Sequence, residues 1–536
     1  MRRKRVHQII NIVDWKIFII LFGSIFINSS KYEELSNQIR IHWTIIGLMI
    51  YAGFWGIKNL NSNNVVHLSI NRILNSIYFI GWLEVLYVIL QIFEILPKHS
   101  HFFVFTGNFD NPAIVAMLLS FCIPIGLYRI MHAKSTMYKS IWINTTIIIF
   151  IVIIISGSRT GIISSIISTL YLKKQIRPNK LLRRRFTLWI ITILAFIILL
   201  ILYTIKKDSA IGRLYIWRIS LQMITDKPLL GFGLDGFASH FMWYQSKFLS
   251  AHPNSPFLLL ADNITNPFNE FLYIGISYGT IGLICTIIFF TLMWQQISLI
   301  KCKQKKILSA LYLILMCWCM FSYPLHVPFV WIIILLITIT ILSRLHHKSL
   351  IVISHTVIIT SIIVILSSIY SVRFRAEWGV VQAHSLFGHE DTAILDFKRL
   401  YKHLSKDGRF LYNYGAELHI AERYEESKNI LNECASLLND YNLHMIMGDD
   451  YMQICKSDSA ILHYSIASNM VPNRLLPLYQ IMNIYSNQGD SINAKKIALI
   501  ILNKRVKIRS NVTDFIIRKA IEVQSDDTTI REEQYI

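Results

Sequence analysis

Charge is scarce in this chain. Lys, Arg, Asp and Glu make up 16% of its 536 residues against 54% hydrophobic residues, and mean hydropathy is +0.46. Soluble domains carry about a quarter charged residues, so that class is excluded and a polytopic membrane protein remains. Acidic residues are scarcer than basic ones, 32 against 53, leaving a net charge of +21. The basic residues gather in short loops between apolar runs, a placement that sets orientation in a membrane and does not point to nucleic acid. Cysteine is sparse too, with seven scattered residues. Cys122, Cys285, Cys317 and Cys319 lie inside apolar runs, where they read as small buried hydrophobes; Cys434 and Cys455 could pair only in an oxidising compartment. Metal-ligand spacing is missing, so neither a metal nor a cofactor is expected. The N-terminal run lacks an A-x-A cleavage site and reads as a first span, not a removed signal.

Long apolar runs, by contrast, are abundant. Runs able to cross about 30 Å of hydrocarbon fall near Trp15 to Asn28, Ile41 to Ile57, Leu74 to Leu96, Ala113 to Ile130, Ile141 to Ile155, Gly161 to Leu172, Phe186 to Ile205, Phe268 to Trp294, Ile307 to Phe321, Val327 to Leu342 and Leu350 to Tyr370. The expected fold is all-α, a bundle of about eleven transmembrane helices. Alternate ends carry Arg2 to Arg5; Arg129, Lys134 and Lys139; the KKQIRPNKLLRRR loop; the KCKQKK loop; and Arg344 with Lys348. The positive-inside rule makes these cytoplasmic, with the N-terminus. Ser29 to Arg40, Pro97 to Pro112, Ser156 to Thr160, Lys206 to Pro267 and Tyr323 to Pro328 then face outward, as does everything after Tyr370. The expected division is a membrane domain over 1–370, with a large outer loop at 206–267, and a soluble domain over 371–536.

Past Tyr370 a period of about 33 to 34 residues emerges, that of tetratricopeptide helix pairs. Gly415 falls on Gly448, and Ser427 on Ala460 and Ala494, with Ala393 in the same small-residue slot of an earlier, degenerate unit. A solenoid of about four such units is expected, either as a docking arm for a protein partner or as a stabilising cap.

Ionisable residues near membrane depth are costly, and they are the first place to look for function. Arg159 lies in SGSRTG, and Arg213 and Arg218 lie in GRLYIWR; arginine offers a rigid fork of donors matched to phosphate oxygens. Alternatively these are snorkelling arginines at a membrane edge. KPLLGFGLDGF suggests a tight turn with close backbone approach. Asn108, Asp110 and Asn111 precede the fourth span, where an Asx residue commonly caps the following helix. His240, His252 and Asp262 are proton acceptors by residue type. Glu84 and Glu94, about ten positions and 80° apart on a helix, are expected respectively to pair within the bundle and to sit at its outer end.

GNFDNPAIVAMLL before one span, SGSRTG after another, GRLYIWRISLQMITDKPLLGFGLDGF opening the outer loop, FNEFLYIGISYGTIGLI leading back into the membrane, and helical repeats at the end follow one another in an order that resembles the O-antigen ligase and O-antigen polymerase superfamily of bacterial inner membranes. That superfamily includes the bacterial O-oligosaccharyltransferases. The resemblance spans Asn108 to Leu283 by motif. It implies a metal-independent glycosyltransferase that moves a glycan from a polyprenyl diphosphate carrier to an acceptor hydroxyl on the periplasmic face: lipid A core for a ligase, another carrier-linked glycan for a polymerase, a protein Ser or Thr for an oligosaccharyltransferase. By the same resemblance Arg159 and Arg213, with Arg218, bind the diphosphate. Many members carry His-Asn before the returning span, whereas this chain has Phe268 and Asn269 followed by Glu270. Phe268 cannot accept a proton, so Glu270, His240 or His252 is expected to, unless diphosphate departure needs little base. Asn269 and Asn111 are expected to contact substrate or to cap helices. Rival expectations are a transporter moving the same lipid-linked sugar and a non-catalytic assembly scaffold.

Overall fold

A computed structural model describes residues 13–27, 33–60, 70–98, 100, 102–174, 207–300, 304–342, 347–386 and 390–525. Among the described residues all regular structure is helical. They group into two compact units, one drawn from Met1–Lys206, Phe268–Phe271 and Ile284–Ala376, the other from Lys207–Pro267, Leu272–Leu283 and Glu377–Ile536.

The first unit contains α1 (Trp15–Phe26), α2 (Glu33–Leu60), α3 (Ile70–Ile92), α4 (Pro112–His132), α5 (Thr136–Ile155) and α6 (Arg159–Lys174). The chain continues through α7 (Lys207–Asp226), α8 (Gly236–Ala251), α9 (Glu270–Leu299), α10 (Gln304–Phe321), α11 (Pro328–Leu342) and α12 (His347–Leu386). Among the described residues six stretches are long and apolar enough to cross a membrane: Ile70–Ile92, Pro112–His132, Thr136–Ile155, Glu270–Leu299, Gln304–Phe321 and Ile353–Gln382; Trp15–Phe26 and Pro328–Leu342 are shorter apolar helices. The expected span Phe186 to Ile205 lies outside the described residues. The two apolar runs between Ile141 and Leu172 are separate helices, α5 and α6, parted at a turn where Gly157 takes a φ of 63° and Ser156 and Ser158 hydroxyls accept local amides.

Helix α4 is the hub of this unit, packing on α3, α5, α6 and α10. Its Ser120 hydroxyl accepts a 3.0 Å hydrogen bond from the indole of buried Trp318 on α10. Such a pairing satisfies a polar group inside an apolar core, where it would otherwise be costly. Outward-facing Ile147, Ile151 and Ile154 on α5 are exposed, as befits helices whose surroundings are lipid.

In the second unit, α13 (Glu390–Leu404), α14 (Gly408–Ile420), α15 (Tyr424–Ala435), α16 (Tyr441–Gln453), α17 (Ser457–Met470), α18 (Leu476–Asn487), α19 (Ser491–Asn503) and α20 (Asn511–Ser525) each pack on the next. Ala393, Ser427, Ala460 and Ala494 are all buried. The facing positions keep the same spacing: a side chain on Gly415 would strike Leu431, and one on Gly448 would strike Tyr464 at 2.5 Å. Cys434 and Cys455 are free thiols, the first buried with its sulfur on the Gly408 carbonyl, so they do not pair. Buried His444 shares a 2.8 Å contact between its Nδ1 and that of His463, and its Nε2 meets the Asn439 side chain at 2.9 Å. Burial holds His444 neutral, with its pKa pushed down to about 3.

Gly448→Ala drives a methyl into the Tyr464 ring and is expected to destabilise the full chain by about 1–3 kcal/mol, read as a lower thermal midpoint in detergent. Between pH 6.5 and about pH 3 the unfolded chain binds the His444 proton and the folded one does not, so stability falls as pH falls through that window. His444→Asn is expected to flatten the slope by about 1.4 kcal/mol per pH unit; an unchanged slope contradicts the assignment.

Candidate functional site

In the first unit the residues returning to the membrane form a tight cluster. Phe268 adopts φ 52°, a left-handed backbone unusual for a bulky side chain. Its ring lies 5.9 Å from that of Tyr323. Asn269 is buried and donates its amide to the Met320 carbonyl at 3.0 Å, near the end of α10, where carbonyls lack helical partners. Glu270 opens α9 and is 2% exposed, its negative charge suited to a helix N-terminus. One carboxylate oxygen accepts the Leu325 amide at 2.6 Å and lies 3.4 Å from His326 Nδ1. Pro324–His326 is a single 3-10 turn, and the Trp331 indole donates to the Leu325 carbonyl at 2.8 Å. Both backbone groups of Leu325 are therefore held, which fixes the turn carrying His326.

A second arrangement in this unit fixes the GNFDNP loop to α3. Gln91 accepts the Thr106 and Gly107 amides, and fully buried Glu84 accepts both the backbone amide and the side-chain amide of Asn108 at 2.9 Å. Glu84 thus serves the loop, while Glu94 is solvent-exposed beside Lys98. Asn111 caps α4, its side chain accepting the Ala113 amide at 2.9 Å. Buried Arg40 donates to the Ile27 carbonyl at 2.6 Å and lies over the Phe109 ring. Half-buried Arg159 is the first residue of α6.

The second unit carries the other two arginines. Helix α7 buries Tyr215, Ile216, Ile219 and Met223. Arg213 is half-buried, and Arg218 is exposed with its guanidinium 5.0 Å from the centre of the Phe248 ring on α8. Five residues on a helix correspond to about 140° around the axis, so the two leave α7 on different sides. The Trp217 indole donates to the Pro267 carbonyl at 3.0 Å. His240 and His252 are separated by about 18 Å along α8. His240 contacts the Ser239 hydroxyl at 2.6 Å and packs on Phe232; burial lowers its pKa. His252 ends the helix, its Nδ1 2.9 Å from the Phe248 carbonyl. Asp262 pairs with Arg474 and Lys507.

The glycine cluster clasps a broken helix. Gly279 interrupts α9 with φ 65° and ψ −164°. Phe232 and Gly233 amides donate to the Ile276 and Ser277 carbonyls at 2.8 and 2.9 Å, and the Thr280 amide donates to the Pro228 carbonyl at 2.7 Å. The approach leaves no room for a side chain: a Cβ on Gly231 would lie 2.3 Å from the Ile276 oxygen, and one on Gly279 would lie 2.1 Å from the Leu229 oxygen. Both glycines have positive φ. The KPLLGFG motif announced a tight turn; its partner, the break at Gly279, was hidden inside ISYGTIG.

Residues 145–287, which include Arg159, Arg213, Arg218, Asn269 and Glu270, match the family model described as O-antigen ligase. The matched segment lies in a chain with several helices long and apolar enough to span a membrane. The match covers about a quarter of the chain and makes that segment similar to the O-antigen ligase family. No curated protein matches. Seventeen chains among solved structures match; one, titled "Crystal structure of MamA", is 14% identical, covers 28% of this chain and 78% of that chain, and has a TM-score of 0.22, too loose a likeness to bear on fold or function.

Gly231→Ala and Gly279→Ala are each expected to open the clasp, costing about 1–3 kcal/mol in backbone strain alone. Faster protease cleavage within residues 227–236 of the full chain reads this out, and unchanged cleavage contradicts it.

Proposed function

We propose that the chain transfers a glycan from a polyprenyl diphosphate carrier to an acceptor hydroxyl, without a metal, as an O-antigen ligase does. The observation that carries the reading is that one family-matched segment, 145–287, contains Arg159, Arg213 and Glu270 together. Arg159 and Arg213 hold the carrier's diphosphate. Fixed guanidinium groups stabilise the anion that develops as the anomeric C–O bond breaks, and they do so more strongly where water is partly excluded. Arg218 joins them only by giving up its contact with Phe248. Attack from the face opposite the leaving diphosphate inverts the anomeric centre.

Asn269, beside Glu270, orients a sugar or diphosphate oxygen, and Asn111 keeps the GNFDNP loop and α4 in register at the acceptor side. His240, on α8, and His252, the residue that follows it, are proton acceptors by residue type only. The chemistry belongs to residues 1–370 on the periplasmic face of a bacterial inner membrane, with the N-terminus cytoplasmic. Residues 371–536 act as a tetratricopeptide-type arm for a polypeptide partner or acceptor. Lipid A core is the acceptor in the ligase reading and a second carrier-linked glycan in the polymerase reading; a protein hydroxyl would suit the repeat arm.

The test uses the full chain in liposomes with polyprenyl diphosphate-linked glycan and acceptor lipids extracted from the source cells. Wild type is expected to release polyprenyl diphosphate. Arg159→Ala and Arg213→Ala should each lower kcat about 100-fold or more, with Arg213→Lys recovering only part because a point charge does not replace the fork. Sugar crossing the bilayer with no bond broken would replace this reading with transport.

A further inference from the structure

The transfer reading leaves the acceptor's proton without a base placed beside Glu270: Phe268 stands where the family's histidine is expected, the Glu270 carboxylate is buried and already accepts the Leu325 amide, and His240 and His252 belong to the other compact unit. The structure brings another imidazole to the same place from a different part of the chain. His326 rides on the 3-10 turn after α10, its Nδ1 facing the Glu270 carboxylate at 3.4 Å while 41% of its side chain remains exposed. Tyr323 bridges the two positions, its ring 5.9 Å from that of Phe268 and 6.5 Å from that of His326.

We propose that His326 is the general base of the transfer and that Glu270 is its positioning residue. The arrangement follows the logic by which a buried carboxylate accepts Nδ1–H, fixes the tautomer and leaves Nε2 as the base. Glu270 is itself pinned by the Leu325 amide, and that amide belongs to the turn that carries His326, so carboxylate and imidazole are set by one backbone segment. Contacts of this length commonly tighten when substrate arrives.

In the step, the acceptor hydroxyl oxygen bonds to the anomeric carbon and its proton passes to His326 Nε2. The bond from that carbon to the diphosphate oxygen breaks, the electron pair leaving with the diphosphate anion. The imidazolium so formed faces the Glu270 carboxylate and afterwards returns its proton to water. The pairing also accounts for how a phenylalanine can occupy position 268: the imidazole arrives from the neighbouring turn, and Phe268 packs the wall against Tyr323.

This inference rests on the transfer reading, and the same liposome assay separates the two, with lipid-linked glycan extracted from the source cells as probe. Wild type turning over, His326→Ala losing about 100-fold or more in kcat at little-changed KM, and recovery on adding imidazole would support the base. Glu270→Gln retains an oxygen for the Leu325 amide but loses the charge, and should lower kcat about tenfold with the thermal midpoint held. Wild-type turnover with His326→Ala and His326→Gln both within about threefold of it, or a loss that imidazole does not restore, overturns the base while transfer stands. A wild type that releases no diphosphate from this probe overturns the transfer reading and the base together.

Discussion

A helix that stops being a helix in an apolar setting must find new partners for the backbone groups it frees. Helix α9 does this at Gly279, where the carbonyls of Ile276 and Ser277 are taken by the amides of Phe232 and Gly233 and the Thr280 amide by the Pro228 carbonyl. That exchange holds the end of α7 and the start of α8 against the returning helix, and so decides where the arginine-bearing α7 lies within its unit. The glycines follow from the exchange, since any Cβ at 231 or 279 would occupy the space that the opposing backbone fills.

The first unit solves the same problem with side chains. Glu270, Glu84 and Gln91 each bind backbone amides of a neighbouring loop. A buried carboxylate that accepts amide donors is compensated where an unpaired one would be prohibitive. Loops beside a membrane bundle are thereby made rigid, which is what pre-organised stabilisation of a leaving anion requires. Residues 207–267 and the helical repeats belong to one compact unit, tied by Gln245 to the Met470 carbonyl at 2.6 Å, by Asn263 to Asp440 at 2.9 Å and by Asn473 to the Ala261 carbonyl at 2.8 Å.

Composition and local pattern made much of this legible. Apolar runs announced the six helices that are long and apolar enough to span among the described residues, fewer than the roughly eleven expected, and the small residues at Ala393, Ser427, Ala460 and Ala494 marked buried slots because close helix approach excludes larger side chains. Asn111 was readable from short-range capping chemistry, and the turn at Ser156 to Thr160 from the gap between two apolar runs. Contacts that join distant parts of the chain were not. Nothing in YPLHVP announces that His326 meets Glu270 across 56 positions, and ISYGTIG gives no sign that a neighbouring turn will complete its backbone hydrogen bonds. Cys434 and Cys455 were left open by the sequence, since pairing would need an oxidising compartment; both are free thiols, the first buried with its sulfur on the Gly408 carbonyl.

The most direct measurement is an electron cryomicroscopy structure of the full chain in lipid with polyprenyl diphosphate bound. The account predicts diphosphate oxygens within hydrogen-bond reach, about 2.7–3.2 Å, of the guanidinium groups of both Arg159 and Arg213. A diphosphate held elsewhere, or the two arginines on opposite membrane faces, would contradict it.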